Sequence, residues 1–166
     1  MQKRLYFCAV LLLTCIAAST TLATGCARQS SATQTEYIVK KVIDGDTIEL
    51  SDGSRVRYIG IDTPEVRKRE GAGWKYAPEP YALKAKAINS ELVAGRKVKL
   101  EFDREKQDKY SRLLAYVYVD GKMVNAELLR QGCASVYMIP PNTKHLALLA
   151  AAQEEAKRAK RGIWQQ

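Results

Sequence analysis

Asp44, Asp46, Asp62 and Glu65 lie close together in the chain. All four are hard oxygen donors, and no His or Cys accompanies them, so the ligand set suits calcium or magnesium. Asp62-Thr63-Pro64-Glu65 is the sharper group. Pro64 fixes its own φ and pushes Thr63 into an extended conformation, which aims Asp62 and Glu65 from one turn at a common point. A backbone carbonyl of that turn is then free as a further ligand. Taken singly, Asp44-Gly45-Asp46-Thr47 reads as a plain turn and Asp62–Glu65 as a loop cap. Arg57 changes the balance, because it sits among apolar residues where an isolated cation needs partners. Arg112 opens a later strand in a similar way. Forked guanidinium donors match phosphate oxygens, and fixed positive charge acts most where negative charge gathers in a transition state. A carboxylate beside a metal can take a proton from attacking water, which makes Glu65 the general base and the arginines charge stabilisers.

These side chains need a scaffold. Residues 37–61 are rich in Val, Ile, Thr and Tyr and are broken by Asp44-Gly45 and by Ser51–Ser54, the pattern of a three-stranded meander. Residues 65–80, with two glycines and two prolines, predict a mobile loop. Tyr81, Ala85, Ile88 and Leu92 recur at helical spacing, and Gly95 stands at the C-cap. Val98, Leu100 and Phe102 alternate with charged residues as in a half-buried strand. A second strand is expected over 112–119, a short helix over 125–131 before Gly132, a short strand over 135–138 and a closing helix over 143–161. No internal repeat is visible. The order suggests an α+β fold: a small antiparallel barrel of OB type with about three helical caps.

The chain has 166 residues, 46% apolar and 27% charged, which is one domain's worth of ordinary globular composition and suggests neither disorder nor a multi-span membrane protein. Its formal charge of +9 attracts polyanions, either nucleic acid or an anionic membrane. Lys3 and Arg4 precede an apolar run from Leu5 to Ala18 and then Leu22-Ala23-Thr24-Gly25-Cys26. Residues 1–25 therefore read as a signal peptide, whose apolar run is too short to span a bilayer. Its end resembles the lipobox of bacterial lipoproteins, with Cys26 as the acylated residue. A membrane-anchored lipoprotein is the expectation, and a secreted soluble form cut nearby is the alternative. Residues 26–35 read as a flexible tether and 36–166 as the folded domain. Removal of Lys3 and Arg4 leaves +7 on the mature chain. Beyond Cys26 only Cys133 remains, so no internal disulfide is expected, and Cys133 reads as a small buried residue.

The ordered set Val42-Ile43-Asp44-Gly45-Asp46-Thr47, Arg57, Gly60-Ile61-Asp62-Thr63-Pro64-Glu65, Asp108-Lys109-Tyr110-Ser111-Arg112, Leu114–Tyr118 and Gly162-Ile163-Trp164 resembles the thermonuclease, or staphylococcal nuclease, family from about residue 37 to 164. The resemblance implies a five-stranded OB barrel and a calcium-dependent endonuclease. Calcium (Ca2+) would be held by Asp46, Asp62 and the Thr63 carbonyl, with Asp44 acting through water. It implies Arg57, Glu65 and Arg112 as catalytic residues, DNA and RNA as substrates, and products with 3′-phosphate ends. It also implies Lys109 and Tyr110 on a terminal phosphate, Tyr137 on substrate, and a monomer.

Two departures stand out. Ser111 replaces the family's usual glycine, which matters if φ there is positive. After Tyr137 the second base-flanking tyrosine has no clear counterpart, which bears on base stacking. His145 is expected at the surface or as a helix cap, and Tyr116, Tyr118 and Trp164 in the core. Arg67, Lys68 and Arg69 are expected in a solvated loop, with substrate phosphates as the alternative. The rival reading of the chain is a non-catalytic OB-fold surface lipoprotein that binds nucleic acid.

Overall fold

A computed structural model describes residues 36–165. The leader, Cys26 and the tether lie outside the described residues. Strands β1 (Glu36–Asp44), β2 (Thr47–Leu50) and β3 (Arg55–Tyr58) form the expected meander. Strand β4 (Ile61–Asp62) follows, then β5 (Arg67–Glu70) and β6 (Gly73–Tyr76). Helix α1 (Ala82–Val93) leads to β7 (Lys97–Glu101), β8 (Leu113–Val119) and β9 (Lys122–Met123). The chain ends with α2 (Val124–Arg130), β10 (Ser135–Val136), α3 (Leu146–Arg158) and a 3₁₀ turn at Gly162–Trp164.

The main sheet runs β3-β2-β1-β7-β8-β9, and a parallel pairing of β3 with β8 closes it into a barrel. Strand β1 makes the closure possible. Its first residues pair with β7 and its later ones with β2, with register breaks after Val39 and after Val42. Such irregularities bend a strand and strengthen its twist. The alternation in β7 holds, with Val98 and Leu100 buried and Lys97 and Lys99 exposed. Ile48, Leu50, Val56, Tyr58, Val98 and Val117 fill the interior. This is the expected five-stranded OB barrel with three helices.

Three expectations need correction. Residues 65–80 are not all loop, because β5 and β6 pair over four positions as a hairpin. The basic run of Arg67, Lys68 and Arg69 supplies one of its strands, and every residue of both strands is exposed. In α1 Ala85 is buried and Ile88 and Leu92 pack partly against the core as expected, but the fully buried stripe is Ala82, Ala85, Asn89 and Val93, which takes in the polar Asn89. His145 precedes α3 without any side-chain cap bond. Its ring lies edge-on to Tyr116, with centroids 4.6 Å apart, and Nε2 meets Glu101 at 3.0 Å. Cys133 is free and buried, as expected.

Candidate active site

Arg57 points out of the barrel because β3 alternates: Val56 and Tyr58 go into the core. Its guanidinium is only 14% exposed and joins two carboxylates. One end forms an ion pair with Asp46 in the β1–β2 turn. The other donates to Asp62 Oδ1 at 2.6 Å and to the Ile61 carbonyl at 3.3 Å. Asp46 is 2% exposed and fully engaged. Oδ1 also accepts from Thr47 Oγ1 at 3.1 Å, and Oδ2 accepts from the Thr63 amide and hydroxyl, both at 2.9 Å. A carboxylate has about four acceptor positions, so Asp46 has none to spare in this arrangement.

Gly45 lets the two turns meet. A Cβ there would stand 2.6 Å from Thr63 Oγ1, so only glycine allows the Asp44–Asp46 turn to press against Thr63. Asp44 lies beside this contact. Burial pushes its carboxyl up, against the pull of Arg57, Lys86, Arg112 and Arg67, and Oδ1 is buried with no hydrogen-bond partner. Glu65 is pushed up first by partial desolvation and then by the charges of Asp44, Asp62 and Glu79, with Arg57 opposing.

Among the described residues, no three His, Cys, Asp or Glu side chains stand together as a ready-made ion cage. Arg57 itself occupies the attention of Asp46 and Asp62. The residues nonetheless fit a hard divalent cation. The donors are all oxygen, the Asp44 oxygen is buried without a partner, and Glu65 is destabilised by its acidic neighbours.

Arg112 follows Ser111, whose φ of 62° is in the left-handed region. The serine thus adopts the conformation that glycine takes more easily. Asp108 holds the loop together. Its Oδ1 accepts from the Tyr110 and Arg112 amides at 2.9 and 3.0 Å, and its Oδ2 meets Arg112 Nε and NH2 at 2.8 Å each. These bonds outweigh desolvation and keep Asp108 below its ordinary range. Lys109 Nζ and the Arg112 guanidinium lie 5.1 and 5.6 Å from the Tyr110 ring centre. Arg57, Arg112, Lys109, Tyr110 and Tyr137 line one cleft of about 370 Å³. Glu65, Asp44, Asp46 and Asp62 do not line it, so Arg57 is the side chain that joins the cleft to that acidic cluster.

The family model described as Staphylococcal nuclease homologue matches residues 55–166. The chain belongs to the staphylococcal nuclease family. It is 42% identical over 132 residues to the thermonuclease of Staphylococcus intermedius, covering 78% of this chain and 76% of that one. It is 45% identical over 129 residues to endonuclease YncB of Bacillus subtilis (strain 168), covering 75% of this chain and 59% of the relative. For the SPbeta prophage-derived endonuclease YokF of the same organism the identity is 44%, and the match spans 78% of this chain but 44% of the relative.

In this staphylococcal nuclease homologue three positioning residues escape a reading of the sequence. Glu79 grips the Glu65 backbone from both sides, since its carboxylate accepts the Glu65 amide at 3.1 Å and its own amide donates to the Glu65 carbonyl at 3.0 Å. Asn89 of α1 donates to the Asp44 carbonyl at 3.1 Å and accepts from Tyr58 Oη at 3.0 Å. Asp108 is carried by the Asp108–Arg112 motif, but its role in holding the loop is not, and Asn89 is marked only as a polar residue within a helical stretch. Tyr137 has Ile139 beside it in the cleft, 54% and 58% exposed, where a second tyrosine has no counterpart.

Proposed function

We propose that this nuclease is a calcium-dependent phosphodiesterase that cuts DNA and RNA endonucleolytically and leaves 3′-phosphate ends. The observation that carries this reading is Arg57, held between two carboxylates and open to the same cleft as Arg112. In that cleft a phosphate meets two guanidinium forks. Both strengthen their hold as charge builds on the equatorial oxygens. Glu65, kept more basic than an ordinary glutamate, accepts the proton of the attacking water as its oxygen bonds to phosphorus, and the 5′-oxygen departs with the phosphorus–oxygen bond electrons and takes a proton from solvent. Lys109 and Tyr110 bind a terminal phosphate, and Tyr137 contacts the adjoining nucleotide.

Asp46, Asp62, the Thr63 carbonyl and Asp44 would hold calcium, which would supply positive charge beside the reacting phosphate. Because every acceptor position of Asp46 is filled, this reading requires Arg57 to loosen its grip there, and the freed donor then serves the phosphate. The relatives named thermonuclease and endonuclease support an enzyme over a non-catalytic binding barrel. Export, with Cys26 as lipid anchor, is part of the proposal and fits a cofactor that is abundant outside cells.

Digestion of plasmid and single-stranded DNA and of RNA by residues 28–166 tests the reading, in calcium, in magnesium and in a calcium chelator. Cleavage in calcium that stops in chelator is expected, with 3′-phosphate on the products. Undiminished activity in chelator would sink the metal assignment.

A further inference from the structure

The β5–β6 hairpin carries a surface that the reaction does not use. Arg67 pairs with Tyr76, Lys68 with Lys75 and Arg69 with Trp74. Residues directly opposite in an antiparallel ladder share a face. Arg67, Arg69, Trp74 and Tyr76 therefore stand on one side, and Lys68, Glu70 and Lys75 on the other. On the second side the charges are taken up, since Lys75 meets Glu70 at 3.2 Å and Lys68 meets Glu79 at 3.2 Å. On the first side no acidic side chain among the described residues pairs with either arginine. Trp74 is 69% exposed and Tyr76 is 63% exposed, and no other large apolar side chain among the described residues exceeds Trp74.

Position gives this face its meaning. The hairpin begins two residues after Glu65, and Glu79 ties its far end back to the Glu65 backbone. The hairpin thus springs from the acidic end of the site. Unpaired arginines attract phosphates, while exposed indole and phenol rings offer stacking planes to any base. A duplex keeps its bases stacked inside and has no planes to give.

We propose that the face formed by Arg67, Arg69, Trp74 and Tyr76 binds single-stranded nucleic acid, stacking unpaired bases on Trp74 and Tyr76 beyond the scissile bond. This rests on the nuclease reading of the Glu65 site. The strand's charge complements the two unpaired arginines.

The test is the affinity of the full mature chain for two hydrolysis-resistant phosphorothioate oligomers of equal length, oligothymidylate and an abasic strand. The wild type is expected to hold oligothymidylate at least about five-fold more tightly. Trp74→Ala should erase most of that preference while leaving the abasic affinity and the thermal midpoint unchanged, and Tyr76→Ala should erase part of it. Equal wild-type affinities, or a loss on both oligomers alike in Trp74→Ala, overturn the proposal. So does a Trp74→Ala variant that binds oligothymidylate normally but no longer binds phosphatidylglycerol vesicles, which would assign the face to a membrane. Failure of the wild type to cut unmodified DNA in calcium, with the thymidylate preference intact, removes the enzymatic reading and leaves the hairpin's role standing.

Discussion

Arg57 has two tasks that compete. With Asp46 and Asp62 it forms a closed set of ion pairs, yet it borders the cleft where a phosphate would sit. A buried cation held this way is stable only while both carboxylates face it, and a bound phosphate offers it a third partner. Glu65 differs, because its side chain is exposed and its backbone, rather than its carboxylate, is what Glu79 fixes. The Glu65→Gln variant is therefore expected to keep its thermal midpoint and to lose cleavage rate by about 10² or more. An unchanged rate in a calcium assay would remove Glu65 from the mechanism. Ser111 shows how a residue absorbs a family departure: it takes the left-handed conformation itself, and Asp108 secures the loop around it.

At the scale of elements, the site depends on turns and strands held in contact. The β1–β2 turn touches Thr63 through Gly45. Gly45→Ala is expected to push Thr63 off Asp46 and to lower the cleavage rate by about ten- to hundred-fold while the barrel still folds, since small misplacements at a reacting centre are costly. Circular dichroism alongside a kinetic assay separates the two effects. Glu101 links β7 and β8 to the start of α3, accepting from Tyr118, Lys144 and His145. Desolvation alone would raise its pKa, but those hydrogen bonds win and bring it down to about 2. A depressed carboxylate stabilises the fold above its unfolded value near 4.5, and that contribution disappears as pH falls through the folded value. Acid titration of stability should thus show a loss between about pH 4.5 and 2 that Glu101→Gln lacks. Equal acid profiles for the two proteins would contradict this assignment.

At the scale of the whole molecule, the C-terminal ends of α2 and α3 are locked together by one close approach. Gly132 after α2 and Gly162 after α3 both have positive φ, at 67° and 57°. A Cβ on Gly132 would lie 2.1 Å from the Arg161 carbonyl oxygen, and the Ile163 amide donates to the Gly132 carbonyl at 2.8 Å. Gly132→Ala combines strained backbone with a backbone clash, so a loss of about 3 kcal/mol or more is expected in chemical denaturation. Cleavage by the fraction that remains folded should be normal, because this contact serves α2, α3 and the C-terminal turn.

The reactive residue types, the strand alternation, the glycines that end α1 and α2, and the ordered motifs were legible in the sequence. They follow rules of short range: a proline restricts its neighbour, a strand alternates, a glycine accepts positive φ. The tertiary structure alone decided that Thr63, seventeen residues from Asp46 in the chain, fills one of its oxygens twice. It also decided that β3 and β8 close the barrel in parallel, that Asn89 carries α1's hold on Asp44, and that Glu79 positions Glu65. The hairpin of residues 67–76 escaped for a related reason. Both of its faces are wet, so no apolar alternation marks its strands, and its four backbone pairings appear only when the chain is folded.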